Sequence, residues 1–337
     1  MDFLRLLRNM LRDGLAHKSA EYRSVHARWI VAQEHPEGGF KNRRGNAELY
    51  YTTFGLRSLS ALNALTPEVA QRSYAFLQKL QQDRGGTCGD AVSAASWWDA
   101  VALCEEVLGP QFSQEQRGEW TQRTHARLSL LQRADGGWAK TAIEGNGSLY
   151  HTFLAFCAYF RMGAIVPETV KLKDFIKGLE QSGGGFLENK FSKRPGTNGT
   201  AAGVALSLLL RARGTVGRFA SWTGLAQALL PLAIKDLAPH AAYVATMRGE
   251  EGGFYAMPAA PIADLLSTFT ALFTLVLLER SEANLTSRAL AYARSLEQDE
   301  GGYVGFALEA TADCEYTFYG LGVEALAEQQ QGPLRLI

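Results

Sequence analysis

The chain has 337 residues, with 34 Lys and Arg against 34 Asp and Glu, 47% hydrophobic and 10% aromatic. Zero net charge argues against a nucleic-acid-binding surface spread over the molecule, and the apolar share excludes bulk disorder. No apolar run approaches the roughly 18–20 residues of a membrane span, while length alone suggests two domains of about 150 residues.

Residues 1–18 form the first predicted element. Phe3, Leu4, Leu7 and Leu11 make a stripe interrupted by Arg5, Arg8 and Arg12, which reads as an amphipathic helix and not as a secretory signal. Such a helix can rest on a membrane surface, dock on a helical partner subunit, or pack on its own domain. Cys88, Cys104, Cys157 and Cys314 form no CxxC pair, so neither a zinc ribbon nor a disulfide framework is indicated, and a cytoplasmic location is expected.

From there a double glycine recurs six times, at Gly38-Gly39, Gly85-Gly86, Gly136-Gly137, Gly184-Gly185, Gly252-Gly253 and Gly301-Gly302. The intervals are 47, 51, 48, 68 and 49 residues. An aromatic residue follows in five copies (Phe40, Trp138, Phe186, Phe254, Tyr303), whereas the second has Thr87. Before each pair runs an amphipathic helical pattern, as at Pro167 to Gln181. An almost wholly apolar one follows, as at Ser148 to Phe160 and Asp264 to Glu279. A helix apolar all round must be buried, and an amphipathic one can cover it. Six alternations predict inner and outer rings: an all-α, single (α/α)6 toroid over residues 19–330. The long fourth interval is an insertion from Arg211 to about Leu237. The glycines end outer helices where a positive φ is needed. They are no phosphate loop, because GxxxxGK[ST] is absent.

With QRADGGW and DCEYTFYGLGVEAL as its most telling stretches, the repeat resembles the prenyltransferase and squalene-cyclase family. It is similar above all to protein prenyltransferase β subunits of the type II geranylgeranyltransferase kind. The resemblance implies a central cavity for an isoprenoid or prenyl diphosphate, and a helical α-type partner subunit. It also implies zinc ligands, Asp-x-Cys from the fifth copy and His from the sixth. Here the fifth reads Asp264-Leu265-Leu266 and the sixth Asp313-Cys314-Glu315-Tyr316, so zinc is not expected. The starts of the inner helices align as Glu48, Asp90, Ser148, Asn198, Asp264 and Asp313, which puts Ala201 where the family carries a fourth-copy His. The cyclase acid motif DxDD is absent.

The residues offer a chemistry of their own. Six parallel inner helices bring six N-termini to one mouth, a setting that favours an anion. Loop cations Arg43 and Arg44 in copy one, and Lys190, Lys193 and Arg194 in copy four, open onto it and are candidates for binding diphosphate. Asp264, Asp313 and Glu315 are the candidate catalytic groups. Clustered, they could raise one carboxyl pKa and create a general acid, or hold Mg²⁺. Helix capping is the alternative for the aspartates. Tyr51, Trp97, Tyr150, His151, Phe269 and Tyr316, among further inner-helix aromatics such as Tyr50 and Phe54, are candidates for an apolar wall that stabilises an allylic cation. The leading expectation is an isoprenoid-using enzyme, acting by chain transfer or cyclisation without the family zinc site. The alternatives are a non-catalytic isoprenoid carrier, a zinc-independent prenyltransferase β-like subunit, and a carbohydrate-active toroid needing two carboxyls about 5–9.5 Å apart.

Overall fold

The computed structural model describes residues 3–83, 89–212 and 235–331. Gly85-Gly86, Thr87, Cys88 and most of the inserted segment therefore lie outside the described residues. The helices in chain order are α1 (Phe3–Leu15), α2 (Ala20–Ala32), α3 (Leu49–Ala61), α4 (Pro67–Asp83), α5 (Ala91–Leu108), α6 (Gln114–Leu131) and α7 (Leu149–Met162). There follow α8 (Thr169–Leu179), α9 (Thr197–Ala212), α10 (235–246), α11 (Leu265–Leu277), α12 (Ala283–Ser295) and α13 (Cys314–Gln331). Among the described residues β-structure is confined to isolated bridges.

Helices α3, α5, α7, α9, α11 and α13 each pack on the next, and α13 returns to α3. The apolar helices thus form a closed inner ring, and α2, α4, α6, α8, α10 and α12 surround it. No division into two domains interrupts that ring. Closure is specified at the glycine loops. Gly136 has φ +93°, and a Cβ there would meet the backbone of Lys171; one on Gly137 would strike the Phe175 ring. Both contacts are on α8, the next outer helix. In the sixth copy the loop at Gly301-Gly302 meets Val25 and Trp29 of α2, so the last repeat seats on the first. The glycines are required by this close approach as much as by their backbone conformation.

The aromatic after each pair turns under its own inner helix and is fully buried. Its N–H donates to a threonine hydroxyl four residues past the helix cap: Phe40 to Thr52, Trp138 to Thr152, Phe186 to Thr200, Phe254 to Thr268 and Tyr303 to Thr317, at 2.9–3.1 Å. Three residues further on, a small residue makes room for the ring: Gly55, Ala155, Gly203, Ala271 and Gly320. This register corrects the fourth copy. Thr200 aligns with Thr152, so Gly196 and not Asn198 matches Ser148, and Gly199 and not Ala201 matches His151. In the second copy the equivalent positions are Ala94 and Trp97. The indole of Trp97 stacks on Trp120 of α6 at 5.0 Å and lies beside Phe112. Trp97 therefore faces the outer ring, which corrects its assignment to the cavity wall.

Helix α1 does not lie apart from the ring. It packs on α13 and α3, its Gly14 abuts Ala325, and Arg8 pairs with Glu106 near the end of α5 at 2.7 Å. Phe3 reaches across to Phe153 of α7 and Phe273 of α11, edge to face at 5.4 and 5.9 Å. Phe3, Leu4, Leu7 and Leu11 are buried, so α1 closes the end of the ring away from the glycine loops. The stripe that the sequence offers to a membrane or a partner subunit is covered by the chain's own helices. No helix among the described residues is long and apolar enough to cross a membrane.

Candidate active site at the mouth of the ring

The inner-helix N-termini meet at the glycine-loop end, as their parallel course requires, and three of these starts are tied to the next copy. Leu149 N–H donates to the Glu188 carbonyl, Thr197 N–H to Ala256 and Leu265 N–H to Gly305. Side chains cap the helices as well. Asp90 accepts from Ser93 N–H, Asp264 from Ser267 N–H and hydroxyl, and Asp313 from Tyr316 N–H, all at 2.7–2.8 Å. Asp264 and Asp313 are thus bound as caps. Asp313 also accepts from Arg43 Nε at 2.7 Å, while Arg43 Nη1 pairs with Glu309 at 2.6 Å and its guanidinium lies 5.3 Å from the Tyr316 ring centre. Arg43 consequently joins copy one to copy six. Its pKa rises because the hydrogen bond and charge of Asp313 outweigh the cost of burial.

Glu315 sits one residue past the start of α13 and does something different. Its Oε1 accepts from the Tyr50 hydroxyl at 2.7 Å, joining α13 to its ring neighbour α3. The Tyr150 and Tyr319 phenols lie beside that of Tyr50. Burial pushes the Glu315 carboxyl up to about 7; Tyr50 and Arg43 oppose the rise, and Asp313 and Glu309 add to it. A carboxyl raised towards neutrality meets the condition for general acid or base work. Burial also pushes the phenols of Tyr51 and Tyr316 up to about 12, with charged neighbours contributing.

Beneath this carboxyl the lumen is lined by rings that touch one another. Phe54, Phe269, Phe318 and Tyr319 are buried, with centroids 5.5–5.8 Å apart. These rings crowd the lumen at this level. Above it Tyr150, 40% exposed, opens to the mouth next to His151, whose Nδ1 lies 2.7 Å from Ser148 Oγ and whose pKa is lowered by burial. Tyr51 and Tyr316 are half-buried at the same rim.

The remaining candidates stand apart. Arg44, Lys193 and Arg194 are exposed, and Lys190 lies over the exposed ring of Phe191. Copies one and four face each other across the ring, so these cations and Arg43 do not form one cluster. Nor do the carboxylates. Among the described residues no three His, Cys, Asp or Glu side chains are placed to hold a metal ion, so the clustering on which Mg²⁺ binding was expected does not form. Two participants escaped the sequence. Glu188, from the fourth glycine loop, accepts from Tyr150 N–H at 3.1 Å, and burial raises its carboxyl. Tyr50 was legible only as one aromatic among many, although its position opposite Glu315 is what sets that carboxyl apart.

The sequence profile of the prenyltransferase alpha-alpha toroid domain matches residues 4–96, 49–229 and 218–334. The chain belongs to this family. No curated protein sequence matches it. Among solved structures, it is similar to Candida albicans protein geranylgeranyltransferase-I complexed with GGPP, with TM-score 0.62, 12% identity and 92% of each chain covered. It is equally similar to the GH76A alpha-1,6-mannanase of a Salegentibacter species, with TM-score 0.62, 12% identity and 91% and 98% coverage. The type II terpene cyclase MstE of Scytonema follows, with TM-score 0.57, 13% identity and 96% and 99% coverage. At such identities these likenesses establish the fold and leave the chemistry to the site.

Proposed function

We propose that this toroid is an isoprenoid-using enzyme of the cyclising kind, in which Glu315 is the proton donor. The observation that carries the reading is a buried carboxyl held by the neutral phenol of Tyr50 at the rim of an aromatic lumen, its pKa raised by burial. Proton-initiated cyclisation needs such a group. The O–H bond of the acid breaks as a C–H bond forms at an alkene carbon, leaving a tertiary cation and the Glu315 carboxylate. The faces of Tyr50, Phe54, Phe269 and Phe318 can stabilise the cation without trapping it, and loss of a proton to the carboxylate restores the acid. Chain transfer from a diphosphate is less well served, because Arg43 is held by Asp313 and Glu309. A carbohydrate-cleaving role is less well served too, because the aspartates are held as caps. The reading is supported by the similar toroids solved with GGPP, in a geranylgeranyltransferase, and with the product merosterolic acid A, in a terpene cyclase.

The test is incubation of the full chain with farnesyl and geranylgeranyl diphosphate and with linear polyprenes, followed by product analysis by mass spectrometry. A cyclised product is expected, with Glu315→Gln lowering turnover at least ~10²-fold while retaining binding. If none of these compounds raises the melting temperature or is converted, the reading fails.

A further inference from the structure

Below the aromatic layer, the lumen carries charge that the proposed chemistry does not use. Arg57 of α3 donates from Nε to Asp99 of α5 at 2.5 Å, and Arg161 of α7 pairs with the other oxygen of the same carboxylate. Three helices thus meet at one Asp, 1% exposed, and the group of three carries a net positive charge. Burial alone would raise the Asp99 pKa, but the two guanidinium groups overcome it and hold it low, so the carboxylate stays ionised.

The two arginines differ in setting. The Arg161 side chain is 5% exposed, whereas that of Arg57 keeps 16% exposure. Its only hydrogen bond is the one from Nε, so both Nη groups lack a protein partner among the described residues. Its guanidinium lies 5.1 Å from the centre of the Phe54 ring and 5.9 Å from that of Phe318. Tyr50, Phe54 and Arg57 follow one another at i, i+4 and i+7, on the lumen face of α3. Seven residues of helix set the Arg57 Cα about 10 Å beyond that of Tyr50 along α3. The Arg57 Nη groups are not among the buried partnerless atoms, so their four N–H donors reach the solvent side of the lumen, and a guanidinium so placed offers a carboxylate or phosphate two parallel hydrogen bonds.

We propose that Arg57, fixed by Asp99 and backed by Arg161, is a receptor for the anionic end of an amphiphile that enters the lumen head first, its apolar part against Phe54 and Phe318. The ligand class is a carboxylate or phosphate ester on a hydrocarbon chain. The head-in orientation leaves the far end of the chain towards Glu315. Only the isoprenoid nature of that chain rests on the function proposed above.

The test compares acid with alcohol. Binding of dodecanoate against dodecanol, and of farnesoate against farnesol, is measured on the full chain below micelle-forming concentrations. The native protein should bind each acid at least tenfold more tightly than its alcohol. Arg57→Met should abolish that preference while leaving alcohol affinity within about twofold, and Arg57→Lys should keep part of it. Equal binding of acid and alcohol by the native chain overturns the proposal, and this comparison decides the matter if Arg57→Met does not fold. A preference that survives Arg57→Met also overturns it. So does a stabilisation by inorganic phosphate alone that depends on Arg57, which would mean a free-anion site. Tight, Arg57-dependent binding of dodecanoate with no binding of either farnesyl compound would leave the site standing and remove the isoprenoid reading.

Discussion

The two ends of the ring are built from opposite helix termini and treat charge differently. At the mouth, carboxylates cap helix N-termini or pair with Arg43 at a half-exposed rim, and Glu315 alone among the candidate acids is held by a neutral phenol. At the far end α1 crosses the lumen and carboxylates meet cations. Arg8 pairs with Glu106, and Glu324, deeply buried on α13, is shared by Lys18 and Arg294. Where a carboxylate has a full cation it serves structure. Where it has only a phenol and low-dielectric surroundings, its proton becomes available near neutral pH. The difference separates the end that holds the ring together from the end that can react.

Substitutions can break this contrast. The largest loss of stability is expected from Glu324→Ala, which takes the shared partner from half-exposed Arg294 and leaves Lys18 only Glu328 at 3.6 Å, and should cost about 3 kcal/mol in urea unfolding. Leu11→Ala, in the fully buried face of α1, should cost about 3 kcal/mol by the same measurement without altering the pH response of the mouth. Glu315→Gln should act in the opposite direction and only on one side of neutrality. Because the folded-state pKa is raised, the native chain gains its full benefit from this group below the unfolded value. It loses that benefit as pH climbs towards about 7. The variant should therefore unfold at higher urea than the native chain at pH 8, by on the order of 2–3 kcal/mol, with the gap closing towards pH 5. No such convergence would mean that Glu315 is ionised at neutrality, and the general-acid reading would lose its basis. Thr268→Val removes the acceptor of the buried Phe254 N–H and should cost about 1–2 kcal/mol. Arg43→Ala, at a half-exposed pair, should cost less than about 1 kcal/mol, and less still in high salt.

The glycine–aromatic repeat made the toroid legible because it is a local signal. Each copy carries its own turn, its own ring and its own helix register. Even the exception could have been read. The second copy has Thr87 after its glycines, and it alone places a large residue, Trp97, where the others have Gly or Ala. Reading Trp97 as cavity wall overlooked that size pattern. The fourth-copy alignment slipped by two because Asn198 looks like a cap, whereas the threonine that receives the loop N–H marks the true register. Arg57 and Asp99 also left a trace, as charges in the middle of otherwise apolar helices, but no spacing joins them in the sequence.

The sequence by itself determined the ring: six copies, the order of inner and outer helices, the glycine turns and an amphipathic N-terminal helix. Each follows from periodicity within some fifteen residues, where backbone geometry ties side-chain direction to position. Tertiary structure decided what those helices do to one another. Tyr50 meets Glu315 across 265 residues of chain, Arg43 meets Asp313 across 270, and α1 packs its apolar stripe into the end of the lumen. These pairings depend on the closure of the last repeat onto the first. Through them, chemically similar carboxyls become a cap, an ion pair or a proton donor, because burial and nearest charge set a pKa and neither is encoded locally.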